Sequence, residues 1–391
     1  MGDSQSSLTH DLARHYSRFR VGERILLTGH SHQAWPDAGF EAQQRAWLDA
    51  AEFVDDKWER AAEQAAKVRA GFARLLRDSP DNIALGQNTH ELVTRWLSAL
   101  DFRSRHRIVT TDSEFHTIRR QLDRLEEEGV EIVRVAAHPA DDLAERLART
   151  IDDRTLAAMM SSVLFATAEI VPQLDAVARA CVRQGSALLV DAYHHLNVVP
   201  FDVRAMRLDN AFVTGGGYKY CQLGEGNCFL RVPPGARARP VLTGWFAEFE
   251  SLERPHDHTV AYAGGAGAFA GATYDPTSHY RAAAVFDFHV AQGLTPERLR
   301  AVSIRQVGLL EREFEALDVD PSVARIEKVP ANRRAGFLAV RTSRASELVR
   351  ALRHASVFAD ARGDILRLGP APYVSDAQLY AAITTLSRLI T

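Results

Sequence analysis

The chain of 391 residues has room for two domains, and its 46% hydrophobic and 25% charged content is that of a folded globular protein, which excludes a disordered, collagen-like or disulfide-scaffold chain. Its 47 basic and 50 acidic residues leave a formal charge of −3, without the basic excess that a nucleic-acid or acidic-membrane partner demands. No apolar run approaches the ~18 residues of a membrane span, the opening M-G-D-S-Q-S-S-L-T-H-D lacks the basic and apolar regions of a signal peptide, and Cys181, Cys221 and Cys228 suit neither a disulfide framework nor a zinc site, so a cytoplasmic protein in a reducing compartment is expected.

From about Ala38 to Leu76, apolar residues recur at helical spacing through Trp47, Phe53, Trp58, Val68 and Phe72, which predicts one or two long amphipathic helices. Short apolar runs then alternate with helical patterns. Strands are expected at Ile83–Leu85, Arg107–Thr110, Glu131–Val135, Ala157–Leu164 and Ala187–Val190, and helices at about Glu91–Leu100, Ile118–Glu128, Leu143–Arg149 and Gln173–Gln184. Such alternation implies parallel pairing, with helices covering both faces of a sheet. A Pro- and Arg-containing stretch at Arg231–Pro240 and a Gly/Ala loop at Gly264–Gly271 interrupt the rhythm. Beyond them come helices from about His279, Pro296–Leu317, Ser346–Arg353 and from Asp376, with strands at Phe337–Arg341 and Ile365–Leu368, a smaller α+β unit beginning near residue 275.

The 47 basic residues include only four lysines, Lys57, Lys67, Lys219 and Lys328. An arginine stays protonated and cannot act as a Schiff-base amine, so lysine chemistry has four candidates. Lys219 stands out, because an apolar strand ends in Gly215–Gly217 and then presents it between Tyr218 and Tyr220 before a second glycine-containing turn. An amine sheltered by aromatic rings is where a depressed pKa makes a nucleophile. Upstream, the buried-strand pattern from Ala187 ends in Asp191, followed by Tyr193, His194 and His195; an acid at the carboxyl edge of a parallel strand faces a ligand held outside the sheet. Earlier still, Gly86-Gln-Asn-Thr-His opens a helix whose free N–H groups, with the Asn88 and Thr89 side chains, suit a phosphate. Each element alone has a plain structural use, as a hairpin lysine, a turn acid or a helix cap. In this order they are the three contacts that pyridoxal 5′-phosphate needs: a phosphate anchor, an acid for the ring nitrogen and an amine for the aldehyde.

These segments resemble the class V aminotransferase group of fold-type I pyridoxal-phosphate enzymes, and within it kynureninase, with similarity from about Leu26 to the C-terminus. The stretch from Gly216 through Lys219 to Leu230, the Asp191-Ala-Tyr-His194 quartet, the Leu242-Thr-Gly-Trp-Phe246 element and the Leu366-Arg-Leu-Gly-Pro-Ala-Pro-Tyr373 segment carry the likeness. The resemblance implies a large domain at residues 56–275 with a mostly parallel, seven-stranded type of sheet, a small α+β domain at 276–391, and an N-terminal segment, 1–55, packing with the small domain. It implies a hydrolase that cleaves the β–γ bond of kynurenine or a related γ-keto amino acid, with an aminotransferase or a C–S β-lyase as the alternative, working as a homodimer with its site at the subunit interface.

Carried over residue by residue, the resemblance makes Lys219 the Schiff-base and proton-transfer residue and Asp191 the ring-nitrogen partner. His194 lies beside the cofactor, Tyr218 touches its phosphate and relays a proton, and Asn88 and Thr89 bind phosphate. Thr167 approaches the cofactor hydroxyl. Phe115 or His116 stacks on the ring, the two remaining open. Trp245 and Thr273 reach toward a partner subunit, and Arg367 grips the substrate α-carboxylate. His30, His32 and Trp245 line an aryl pocket. Where kynureninase has a second acid near the ring nitrogen, this chain has Ile118, so that acid is absent from the matching position. No cysteine follows Cys228, which disfavours a desulfurase that carries sulfur on a C-terminal cysteine.

Overall fold

The run Thr155–Ser161 is buried along its whole length, as a strand must be when helices cover both faces of its sheet. It belongs to a seven-stranded sheet in the computed structural model, which describes residues 11–253 and 258–390. In chain order the strands are β1 (Ile83–Gly86), β2 (Arg107–Thr111), β3 (Glu131–Val135), β4 (Thr155–Ser161), β5 (Ala187–Asp191), β6 (Phe212–Gly216) and β7 (Cys228–Arg231), and they lie side by side in the order β1-β7-β6-β5-β4-β2-β3. All pairings from β6 to β3 are parallel. Only β7 runs against its neighbours, so β1 meets an antiparallel partner where the alternation of strands and helices predicted a parallel one. The short return from β6 to β7 explains this, since a parallel strand would need a crossover of a dozen residues or more.

Period-two geometry sorts the strand side chains into two cores. Leu188, Val190 and Met160 face one way with Phe72, Leu76, Leu143, Leu147, Val177 and Cys181, while Met159 and Leu189 face the other with Leu92, Trp96, Ile118 and Leu122. The first layer comprises α2 (Lys57–Leu76), α5 (Leu143–Thr150) and α6 (Leu174–Gln184), and the second α3 (Thr89–Ser98) and α4 (His116–Glu127). The long amphipathic pattern upstream resolves into two helices, α1 (Asp37–Phe53) and α2, separated by a 3₁₀ turn at Val54–Asp56.

The smaller unit has a four-stranded antiparallel sheet, in the order β10-β11-β9-β8, of β8 (Arg325–Ile326), β9 (Leu338–Arg341), β10 (Asp360–Arg362) and β11 (Ile365–Leu368). Helices α8 (Pro296–Glu315), α9 (Ala345–His354) and α10 (Asp376–Ile390) pack on it, burying Leu310, Leu348, Leu352, Leu379 and Leu386 together with Leu12, Tyr16, Leu26 and Leu27 from the N-terminal segment. Helix α7 (Thr277–Ala291), read from the sequence as the start of the small unit, instead packs along α1 and α2 and buries Ala282, Ala283, Val285 and Phe286 in the large core. Residues 1–10 and 391 of the expected units lie outside the described residues, among which no helix is long and apolar enough to cross a membrane.

Candidate active site

The carboxyl ends of β2, β4 and β5 lie next to one another, and the chain leaves each of them toward one cavity of about 230 Å³. Lys219, Asp191, His194, Phe115, Thr89 and Tyr218 all line it, although they are scattered over some 130 positions of sequence. Lys219 arrives there because β6 ends in a tight turn in which Gly217 N–H donates to the Asn227 carbonyl at 2.7 Å and Leu223 N–H to the Gly217 carbonyl at 2.9 Å. A side chain at Gly216 would collide with the Tyr193 hydroxyl and the Cys228 sulfur, so glycine is what lets this strand end lie against β5 and β7.

The Lys219 side chain is almost wholly buried, and its Nζ sits 2.6 Å from Nε2 of His194. It also lies 4.5 Å from the ring centre of Tyr193 and 5.3 Å from that of Phe115. Burial lowers its pKa to about 7, against the pull of Asp191 and with the help of the Arg367 and Arg362 charges. His194 is held neutral by burial and by the neighbouring Lys219 and Arg367 charges. Its Nδ1 is a buried nitrogen with no hydrogen-bond partner.

Asp191 ends β5, and Oδ1 accepts from Tyr193 N–H at 2.8 Å. Burial pushes its carboxyl up, partly offset by that N–H and by Lys219. Directly opposite Asp191 in the parallel register stands Ser161, whose hydroxyl donates to Oε2 of Glu114 at 2.6 Å and whose N–H donates to Oε1 at 3.1 Å. Thr111 Oγ1 also donates to Glu114, at 2.6 Å. Burial drives the Glu114 carboxyl up to about 7, with the Asp191 charge adding to the rise. The position matching the family's second acid remains Ile118, but Glu114, four residues earlier, lies within electrostatic reach of Asp191. The signal was present: Glu114 follows the end of β2 at the carboxyl edge, the same argument that singled out Asp191.

Where Asn88 and Thr89 line the cavity, α3 begins at Thr89 with Asn88 as its cap, Asn88 Oδ1 accepting from Glu91 N–H at 2.9 Å. The cavity is thus lined by a helix N-terminus, a carboxylate, a buried amine and a buried imidazole. That donor set fits pyridoxal phosphate, whose phosphate, ring nitrogen and aldehyde require those three groups.

Of the two stacking candidates, Phe115 lines the cavity, whereas His116 is exposed on the first turn of α4. Thr167 is turned elsewhere, its hydroxyl donating to Glu169 at 2.9 Å, and the wall on that side is formed by Ser161, Val163 and Phe165. His32 is exposed and stacks on Tyr218 with ring centres 4.7 Å apart. His30 is fully buried away from the cavity, with Nε2 2.7 Å from Asp360 Oδ1. Burial lowers the His30 pKa to about 4, so the neutral ring donates from Nε2 to the carboxylate. Arg367 is equally buried and forms the expected bidentate fork, but with Asp360: Nε at 2.9 Å from Oδ1 and Nη2 at 2.5 Å from Oδ2.

Trp245 opens a 3₁₀ helix, is 45% exposed, and packs on Phe246 and Phe249. It does not line the Lys219 cavity. Thr273 lines a separate, open cleft of about 1040 Å³ with Leu242, Thr243, Gly244 and Phe246, and Gln87 and His90 border both spaces.

Residues 52–244 match the family model described as aminotransferase class-V, and residues 299–386 match the kynureninase C-terminal domain. The uncharacterized aminotransferase YcbU of Bacillus subtilis (strain 168) is 24% identical over 346 residues, covering 87% of this chain and 88% of that protein. The cysteine desulfurase IscS of Rickettsia conorii is 26% identical over 193 residues, covering 48% of this chain and 46% of that one. Among solved structures, a C-DES mutant with glycine covalently linked to its PLP cofactor superimposes with a TM-score of 0.82 at 17% identity, over 96% of this chain and 98% of that one. The apo cysteine desulfurase of Thermococcus onnurineus NA1 gives 0.81 at 16% identity, over 97% of both chains. The last two likenesses establish the fold.

Proposed function

We propose that this chain, which belongs to the class V aminotransferase group of pyridoxal-phosphate enzymes, is a hydrolase of the kynureninase type, adding water across the β–γ carbon–carbon bond of kynurenine or a related γ-keto amino acid to release an anthranilate-type product and alanine. The observation that carries this reading is the match of residues 299–386 to the kynureninase C-terminal domain, a stretch that includes β11 and Arg367.

Pyridoxal phosphate, when bound, supplies a conjugated ring that takes up the electron pair released at the substrate α-carbon. Asn88 and Thr89 at the start of α3 would hold its phosphate, Asp191 would keep a proton on its ring nitrogen, Phe115 would cover one ring face and Lys219 would join its aldehyde carbon. Lys219 Nζ, as a free amine, would accept the substrate α-proton; an amine with a pKa of about 7 is matched to that task at neutral pH. His194 is neutral and accepts or returns a hydrogen bond at Nζ, which orients the amine. Tyr218, its hydroxyl pushed up to about 12 by burial, is protonated at neutral pH and would donate that proton to the substrate β-carbon as the β–γ bond breaks.

The active enzyme is a homodimer in this reading. Val241, Leu242, Trp245 and Phe249 form an exposed apolar group beside the Thr273 cleft, the kind of patch that marks a protein interface. A partner seated there would close the aryl side of the site, which one chain leaves open.

A second reading, a C–S β-lyase on a small amino acid, is favoured by one observation: neither His30 nor Trp245 lines the Lys219 cavity. The three cysteines are buried, and burial pushes Cys181 and Cys228 up to about 12, which argues against a persulfide-carrying desulfurase. Incubating the holoenzyme with L-kynurenine, 3-hydroxykynurenine and L-cystine separates the readings. Anthranilate-type fluorescence with alanine supports the hydrolase; pyruvate from cystine with no fluorescent product replaces it with the lyase.

A further inference from the structure

Tyr193 lines the Lys219 cavity, is 7% exposed, and has no part in the chemistry described so far. Its N–H is tied to Asp191, and the centre of its ring lies 4.5 Å from Lys219 Nζ, so the residue flanks both the acid and the amine. The hydroxyl reaches further, to 3.7 Å from Cys228 Sγ, and occupies the space that a side chain at Gly216 would need. Strand register fixes what surrounds that spot. Cys228 stands across from Gly216 on one side and from Gly86 on the other, and Gly86 is followed directly by Gln87, Asn88 and Thr89, which lead into α3 and line the cavity. The Thr89 N–H approaches the same sulfur. A phenol O–H and an N–H from the first turn of a helix therefore converge on one atom of the cavity wall.

Neither neighbour of the Tyr193 hydroxyl makes full use of it. A thiol is a weak acceptor, and the other neighbour, the Tyr218 hydroxyl, belongs to a ring whose centre is 5.0 Å from that of Tyr193 and is itself a donor. A hydroxyl hydrogen turns to the strongest acceptor in reach, and an ionised phosphate oxygen is stronger than either group. Burial keeps the phenol protonated, as a donor must be.

We propose that Tyr193 helps to hold the phosphate of pyridoxal phosphate, its hydroxyl donating to a phosphate oxygen beside the Thr89 N–H. Hydrolase and lyase would use this contact equally, since both need the cofactor anchored.

Holoenzyme is stripped of cofactor and titrated with pyridoxal 5′-phosphate and with pyridoxal, which lacks the phosphate, binding being followed by the absorption of the captured aldehyde. Tyr193→Phe keeps the ring and removes the hydroxyl. It is expected to raise the dissociation constant for pyridoxal phosphate at least tenfold, the scale of a lost hydrogen bond to a charged group, and to leave that for pyridoxal within twofold, which also reports that the variant is folded. Equal affinity of variant and wild type for pyridoxal phosphate overturns the proposal. So does an equal loss for both compounds, which marks a hydroxyl that shapes the cavity without meeting the phosphate. Wild type that takes up pyridoxal phosphate keeps the cofactor assignment whatever the variant does; wild type that takes up neither compound overturns that assignment, and the role of Tyr193 with it.

Discussion

Nζ of Lys219 stands 2.6 Å from Nε2 of an uncharged His194, with both side chains buried at the carboxyl edge of the sheet. An amine so placed has one hydrogen-bond partner, a lowered pKa and aromatic walls. It is the only one of the four lysines set at that edge. Replacing Lys219 by Ala should abolish any borohydride-stable link between protein and cofactor and cut turnover by roughly a thousandfold or more, the scale of a lost proton-transfer group. Intact mass after borohydride treatment checks the first expectation. Full incorporation of cofactor mass into Lys219→Ala protein refutes the assignment.

The pKa of Lys219 predicts how the apoprotein takes up its cofactor. Only the neutral amine attacks an aldehyde, so the rate of covalent capture should rise as pH increases through about 7, where an ordinary lysine would need about 10.4. Stopped-flow absorbance over a pH series measures the midpoint. A midpoint near 10 would mean that the amine is solvated.

Glu114 makes a prediction about stability. Its folded-state pKa of about 7 lies above the ~4.3 of an unfolded glutamate, so between these values the native state holds more protons than the unfolded one. Its contribution is therefore fully present below about pH 4.3 and is lost as pH rises to 7, a slope summing to about 4 kcal/mol. Glu114→Gln keeps the size and the acceptor oxygen and removes the titration. Urea unfolding of wild type and variant at pH 5 and pH 8 should show the variant losing less stability across that interval; parallel losses would contradict the buried-acid assignment.

At the end of β7 opposite the cavity-lining Cys228, Arg231 is 2% exposed and bonds Asp78 at 2.6 Å, while its Nη1 donates to the Asp209 and Ala211 carbonyls at 2.8 and 2.7 Å. This cluster ties the antiparallel strand of the large sheet to the segment just after α2. Asp78→Ala leaves a buried guanidinium without its counter-charge and should cost about 3–5 kcal/mol. Chemical denaturation gives the number, and a change below about 1 kcal/mol would show the arginine to be adequately held by carbonyls alone.

Sequence alone determined the alternation of strands and helices, the bounds of most elements to within a few residues, and three groups that line one cavity, because local patterning and the scarcity of lysine are written along the chain. Lys219, Asp191 and Thr89 could be chosen without coordinates since each sits at a strand end or helix start recognisable from its neighbours. Register and packing decided the rest. Asp360 faces Arg367 only because β10 pairs with β11 in one register, and a strand of three residues has no periodicity to announce it. Glu114 comes within electrostatic reach of Asp191 because β2, β4 and β5 are neighbours in space, an adjacency set by how helices cover the sheet. Thr167 turned to Glu169, and α7 joined the large core, for the same reason: the lowest-energy partner of a side chain is chosen by what the fold brings near it, and only the folded chain reveals that.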